Sequence, residues 1–318
     1  MSVDLYGSQN HLPFQRDKPA GEGNAPDGGK PARVDLAPDG LVPSGLKMGL
    51  ATRPPRYTAH NLSSAFSLRY DWTGWPKEGT SLPPSAIDIA RSLASLWEQD
   101  GLRLMEPHAT AEKIQLLFSV TPAISPTFFT MRVKGRLQHA LRKAGTPVQF
   151  SRKVSLRSLG ENITAQVAGY LHRQVGKEGF VDPRFERIMS EFTVACPEVV
   201  LAEPAASSSG RYWYNLHVVL VVADRLRITN PVKLGLLRDA VFVVAERTGC
   251  QIAALAVMPD HVHAAVRGNY EMTPEEIALA LQNGLAQALG CRVWQDGFYV
   301  GTFSEYDLDV IRRIVGKS

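Results

Sequence analysis

From Leu62 onward the apolar positions switch repeatedly between a period of two and a period of 3.6. Those switches lay out the expected elements. Leu62 to Trp72 reads as a strand, and Pro84 to Gln99 as a helix with Ile87, Ala90, Leu93, Ala94 and Trp97 on one face. Glu112 to Val120 reads as a strand. Ser125-Pro126 then opens a helix to about Lys143, with proline at its first position. Val148 to Leu156 is predicted as a strand and Gly160 to Val175 as a helix, and residues 176–211 show no clear period. Further on, Leu216 to Val222 is a buried strand, Pro231 to Arg247 a helix, and Gln251 to Val257 a strand that runs into a His-Val-His strand. Thr273-Pro274-Glu275-Glu276 is a capping box that starts a helix to about Leu289. Val293 to Thr302 is predicted as a strand and Ser304 to Val315 as a closing helix.

The order strand, helix, strand, helix, strand occurs twice. One ungapped slide sets Glu112-Lys113-Ile114-Gln115 on Asp260-His261-Val262-His263, and also sets Leu137-Gln138-His139-Ala140-Leu141 on Leu285-Ala286-Gln287-Ala288-Leu289. The chain therefore reads as two copies of one α+β unit. The expected segments are a tail over 1–55, a first domain over 56–195, a linker over 196–211 and a second domain over 212–318. The tail is rich in Gly, Pro, Asp and Lys, as in Lys18 to Pro31, and is expected to be disordered or to order only on a partner.

Composition narrows the class. A 44% hydrophobic and 21% charged content is that of a soluble globular protein, and the formal charge of +4 does not by itself demand a nucleic-acid partner. Three widely spaced cysteines argue for a reducing compartment and against a disulfide framework. With no apolar run of membrane-spanning length and no signal-peptide pattern, a cytoplasmic, nucleoid-associated location is expected. Charge distribution says more than net charge. Between Pro126 and Gly160 there is no acidic residue, while Arg132, Lys134, Arg136, Arg142, Lys143, Arg152, Lys153 and Arg157 are all basic. A solvated helix face mixes signs, so this run points to phosphate contacts.

The candidate chemistry sits in Met258-Pro259-Asp260-His261-Val262-His263. Residues two apart on a strand share a face, so His261 and His263 present adjacent imidazoles while Val262 faces the core. Such a pair suits a divalent metal but needs another ligand, and packing of one ring with solvation of the other is the competing reading. Asp260 reads as an orienter of an imidazole or as a polar strand start, and His172 and His217 as surface or packing residues.

In this setting Pro259-Asp260-His261-Val262-His263 resembles the HUH single-tyrosine transposases of small insertion sequences. Trp294-Gln295-Asp296-Gly297-Phe298-Tyr299 is similar to a segment of their repeat-associated relatives. The first half looks like the same family through Glu112 to Pro122, Ser125-Pro126, Lys134-Gly135-Arg136 and Tyr170-Leu171-His172-Arg173-Gln174. The resemblance spans roughly residues 60–178 and 212–315. It implies two tandem ferredoxin-like domains, with antiparallel sheets and helices packed on one face, forming a pseudo-dimer. It also implies a Mg²⁺- or Mn²⁺-dependent endonuclease and strand transferase on single-stranded, hairpin-bearing DNA, working through a 5′-phosphotyrosine intermediate. The first copy has Lys113 and Gln115 where the second has its histidines, and the second copy's last helix has Ile314 where the first has Tyr170. One composite site follows from the resemblance. His261, His263 and Gln174 would be the metal ligands and Tyr170 the nucleophile, with Gln174 one helical turn after it. The residues alone read Tyr170 as packed with Val167 and Leu171, and asymmetric decay of the motifs would instead leave a domesticated, catalytically inactive DNA-binding protein.

Overall fold

The structure is a computed structural model, and it describes residues 54–160, 167, 169 and 183–304. Residues 56–318 form one compact unit. Its α+β architecture has two mixed six-stranded sheets and, among the described residues, six α-helices.

In chain order the elements are β1 (Ser63–Ser67), β2 (Arg69–Gly74), α1 (Ala86–Ser92), α2 (Ala94–Gln99), β3 (Leu102–Ala109), β4 (Ile114–Val120), α3 (Pro126–Lys143) and β5 (Val154–Leu159). Then follow α4 (Pro183–Ser190), β6 (Thr193–Ala195), β7 (Ala205–Ala206), β8 (Gly210–Trp213), β9 (Asn215–Val221) and α5 (Pro231–Thr248). The chain continues with β10 (Gln251–Val257), β11 (His261–Arg267), α6 (Pro274–Ala288) and β12 (Gly297–Thr302). The helix starts follow the sequence chemistry. Ser125 Oγ accepts from the Phe128 amide, and Asn230 from the Val232 amide. Thr273 and Glu276 close the capping box at α6.

One sheet has the order β6-β10-β11-β9-β12-β1 and the other β3-β4-β2-β5-β8-β7. Strand for strand, β10-β11-β9-β12-β1 corresponds to β3-β4-β2-β5-β8. Each run ends in a strand taken from the other half of the chain. β1 pairs in parallel with β12, Ser63 opposite Gly297 through Ser67 opposite Gly301. β8 pairs in parallel with β5, Val154 opposite Gly210 through Arg157 opposite Trp213. The expectation of antiparallel sheets is corrected here to mixed ones. A tight turn cannot join a parallel pair, and both parallel pairs here unite strands far apart in the chain, β5 with β8 and β1 with β12.

The two junctions use matched hydrogen bonds. The Arg69 amide donates to Thr302 Oγ1 at 2.9 Å, and the Asn215 amide donates to Ser158 Oγ at 3.0 Å. Thr302 Oγ1 also donates to the Leu159 carbonyl. Gly160 lies so close to the backbone of Thr302 and Phe303 that a Cβ there would collide with the Thr302 carbonyl oxygen. Further in, Tyr57 reaches across to the second half. Its hydroxyl accepts from the Val293 and Trp294 amides, and the Asn283 side chain bonds its backbone N–H and C=O. One hydrophobic core runs through both halves, with Tyr70 and Tyr214 rings 6.2 Å apart.

Several local expectations change. Leu62 to Trp72 is two strands, broken at Leu68 and sent to different sheets, and Pro84 to Gln99 is two short helices meeting at Leu93. The strand expected at 148–156 lies at Val154–Leu159, and Phe150 only bridges to Pro76. The strand expected to begin at Val293 begins at Gly297. β3 escaped the pattern because its exposed edge carries Glu106, Pro107 and His108, which erase the alternation. The stretch read as aperiodic holds α4 and β6, and the expected linker holds β7 and the start of β8. The helices expected at 160–175 and 304–315 fall almost wholly outside the described residues. No helix among the described residues is long and apolar enough to cross a membrane.

Because Gly160 has no room for a side chain at the junction, Gly160→Ala is expected to lower stability by about 1–3 kcal/mol. Urea unfolding followed by tryptophan fluorescence measures the loss, which no exposed substitution such as Lys153→Ala should reproduce.

Candidate functional site

Alternation along β11 sorts its side chains between two environments. Val262 and Ala264 face α5 and α6, packed with Val218, Leu220, Val241, Leu281 and Leu285. His261 and His263 therefore lie on the opposite face, 8% and 2% exposed, with ring centroids 4.8 Å apart. The β10–β11 hairpin turns through Met258, Pro259 and Asp260, and the Met258 amide closes it on the His261 carbonyl at 2.8 Å.

Each imidazole is gripped through Nδ1. His261 Nδ1 lies 2.5 Å from Asp260 Oδ1, and Arg225 donates to Asp260 Oδ2 at 3.0 Å. Arg225 comes from a turn in which it and Asp224 hold φ of 55° and 53°, a left-handed conformation uncommon for residues other than glycine. Burial pushes the Asp260 carboxyl upward, but the hydrogen bonds and charges of His261 and Arg225 outweigh it and hold the group at about 2. The acid is thus a carboxylate at neutral pH.

His263 Nδ1 lies 3.0 Å from Nε2 of His217, and the two rings meet edge to edge, 5.2 Å between centroids with 16° between their planes. Sequence reasoning left His217 as a surface or packing residue. Strand register supplies what was missing. His217 on β9 stands opposite Ala265, one same-face step along from His263, so its ring reaches diagonally to that imidazole. Burial lowers His217 to about 4 and keeps it neutral. Tyr299 on β12 completes the face, its ring 6.0 Å from His217 and its hydroxyl lying over Gly301.

The same face is covered further along by a small apolar cluster in which Ala254, Ala256 and Ala265 pack with Leu201, Phe303 and Val167. Ala256 is the direct cross-strand partner of His263. Val167 belongs to the first half of the chain, so that half contributes to the histidine face. Tyr170 and Gln174 lie outside the described residues. Among the described residues no three His, Cys, Asp or Glu side chains are disposed to hold a metal ion together.

The expected DNA-contacting residues separate into two groups. Arg136 is 2.6 Å from Asp100, with Arg132 at 3.9 Å, and Lys134 donates to the Ser151 and Arg152 carbonyls at 2.7 and 3.3 Å. Partial burial lowers the Lys134 pKa. Arg157 stacks on Trp213, 4.1 Å from the ring centroid. Arg132 also lies over the Phe128 ring and is exposed, as are Arg142, Lys143, Arg152 and Lys153. The last four leave a basic surface around the end of α3 and the approach to β5.

Residues 211–317 match the family model described as "Transposase IS200 like". The match takes in β8 through β12 and both histidines. The chain is similar to a transposase from Deinococcus radiodurans R1, at 22% identity over 32% of this chain and 88% of that one, with a TM-score of 0.27. It is also similar to a REP-associated tyrosine transposase bound to a REP hairpin, at 17% identity over 32% of this chain and 62% of that one, with a TM-score of 0.27. The regulatory subunit of aspartate kinase from Thermus thermophilus aligns with 72% of this chain and 98% of its own, at 10% identity and a TM-score of 0.18. No curated protein matches.

The corresponding face of the other sheet has different chemistry. Asp71 stands two positions from Thr73, the partner of Gln115, just as His217 stands two positions from Val219, the partner of His263. Asp71 is 9% exposed. Burial raises it to about 6, against the opposing pull of the Thr73 and Gln115 hydrogen bonds and the Arg157 and Lys113 charges. A carboxyl whose folded pKa is raised costs stability as pH rises from 3.8 through 6, because the folded state holds its proton longer than the unfolded state. Asp71→Asn is therefore expected to stabilise the protein by about 1–3 kcal/mol at pH 8. The gain should vanish near pH 4, as measured by denaturant unfolding at the two pH values.

Proposed function

We propose that the chain is a DNA endonuclease and strand transferase acting in transposition or recombination. In this reading it is built from two copies of one ferredoxin-like unit that together make a single composite active site. His261, His263 and Gln174 hold a divalent metal, Mn²⁺ or Mg²⁺, and Tyr170 is the nucleophile. The observation that carries the composite reading is Val167. It packs on the histidine face although it belongs to the other half of the chain, and Tyr170 follows it by three residues. The strand-for-strand correspondence of the two sheets and their reciprocal parallel pairs support the duplication and the pseudo-dimer. The βαββαβ connectivity in each half supports the ferredoxin-like assignment. The family match over 211–317 supports transposition chemistry.

The donor set fits a metal. Both imidazoles use Nδ1 for Asp260 and His217, so Nε2 is the nitrogen each would present, with the Gln174 amide oxygen as a third donor. Imidazole favours Mn²⁺ over Mg²⁺. A bound divalent cation supplies charge neutralisation and orientation of the scissile phosphate. The chain's own work is to hold that phosphate against a phenol, a weak nucleophile with an ordinary pKa of about 10. The Tyr170 oxygen loses its proton to solvent and bonds to phosphorus. The P–O3′ bond breaks, the 3′-oxygen leaves and takes up a proton, and the 5′-phosphate stays on Tyr170. Arg142, Lys143, Arg152 and Lys153 are exposed and suited to phosphates of the strand outside the site. In this reading the DNA is single-stranded and bears a hairpin.

Labelled single-stranded DNA from the flanks of the protein's own gene, incubated with Mn²⁺ or Mg²⁺, is expected to give a covalent protein–DNA band in a denaturing gel. Tyr170→Phe and His261→Ala should each reduce it to background. A band that persists in Tyr170→Phe but is lost in Tyr299→Phe would move the nucleophile to the tyrosine on the histidine face. Retained DNA binding with no band in either metal would make the protein a catalytically inactive DNA binder.

A further inference from the structure

We infer that His217 is a positioning residue that holds His263 in the tautomer protonated on Nδ1, leaving the Nε2 lone pair for a metal. The inference rests on the metal reading of the site given above and names what makes one of its ligands competent.

The argument begins with proton counting. His217 Nε2 and His263 Nδ1 are 3.0 Å apart, so one hydrogen lies between them and belongs to one ring. If His217 donated it, the only proton of a neutral His263 would sit on Nε2, and the nitrogen on the ring's far side would have no lone pair to give. If His263 donates it, Nε2 of His263 is a pyridine-type nitrogen and ready to ligate. The second arrangement requires His217 to be a neutral ring carrying its own proton on Nδ1. The rings are close to coplanar, with 16° between their planes and 5.2 Å between centroids, so the shared proton lies near both ring planes, where the nitrogen lone pairs point.

His261 shows the same logic with a different acceptor. The ionised Asp260 can only accept, so the 2.5 Å contact fixes the His261 proton on Nδ1 as well. The two candidate ligands thus receive one tautomer from two acceptors, a carboxylate in the preceding turn and an imidazole on the neighbouring strand. Only the second is invisible to local sequence, because Asp260 is adjacent to its partner whereas His217 is 46 residues away from His263. The other half bears on this too. At the position of His217 it has Asp71 and at the position of His263 it has Gln115, whose side chain helps to lower the Asp71 carboxyl. A polar partner is present at this step of the sheet in both halves, but only in the second is it paired with an imidazole that could bind metal.

The test uses the whole protein labelled with ¹⁵N-histidine and free of metal. Long-range ¹H–¹⁵N imidazole spectra near pH 7.5, with the His263 signals identified by their loss in His263→Gln, are expected to show a protonated Nδ1 and a pyridine-type Nε2 for His263. A protonated Nε2 on His263 would overturn the inference. Mn²⁺ affinity, read from the EPR signal of free Mn²⁺, is expected to fall about 10- to 100-fold in His217→Leu. It should largely return in His217→Gln, whose amide oxygen reaches the place of the imidazole Nε2. Unchanged affinity in a folded His217→Leu protein would also overturn it. A wild type that takes up no Mn²⁺ would remove the metal reading of the site, and the metal-free tautomer measurement would still decide the role of His217.

Discussion

The parallel pairing of β1 with β12 and of β5 with β8 is the constraint on which the rest of this molecule depends. β5 and β12 would otherwise each end a sheet with a row of unpaired backbone groups, an arrangement that invites pairing with another chain. Here the other half of the same chain provides the neighbour. Both exchanges are tied down at the junction, where Thr302 and Ser158 hydroxyls accept amides from the opposite half. Neither sheet is complete without a strand from the other half, and a single apolar core lies along both. The described residues of the two halves thus share one core and exchange one strand each way.

That exchange also sets the site. α5 and α6 occupy one face of the histidine sheet, and β5 ends at Gly160 against Thr302 of β12. Val167 is the described residue that makes the crossing, landing among the alanines beside His263. A face built from two halves is chemically asymmetric. One sheet displays three imidazoles and a tyrosine. Its counterpart has Asp71 and Gln115, and there burial raises the Asp71 carboxyl more than the charges of Arg157 and Lys113 lower it.

Electrostatics divides the basic residues in a similar way. The one-sided run between Pro126 and Gly160 looked like a single phosphate-binding stripe. In the fold, Arg136 and Arg132 lie beside Asp100, Lys134 donates to two carbonyls and Arg157 lies on an indole, so each of these has a partner within the protein. Asp100 lies outside the run and on another element, which is why counting charges along the chain could not reveal the pairing. The exposed members of the run are Arg132, Arg142, Lys143, Arg152 and Lys153.

By itself the sequence determined the elements whose signals are local. The helices beginning at Pro126, Pro231 and Pro274 start at caps made by neighbouring residues, and β4, β9, β10 and β11 are apolar runs buried whatever their partners. It also determined that His261 and His263 share a face, because alternation on a strand requires nothing beyond the strand. The split of residues 62–72 between two sheets depended on tertiary structure, as did β3 at an exposed edge and the contribution of His217 and Val167 to the histidine face. Each of these depends on which strand lies beside which, and in what register. That pairing is made by backbone groups common to every residue, so it leaves no mark in the side-chain pattern until the chain has folded.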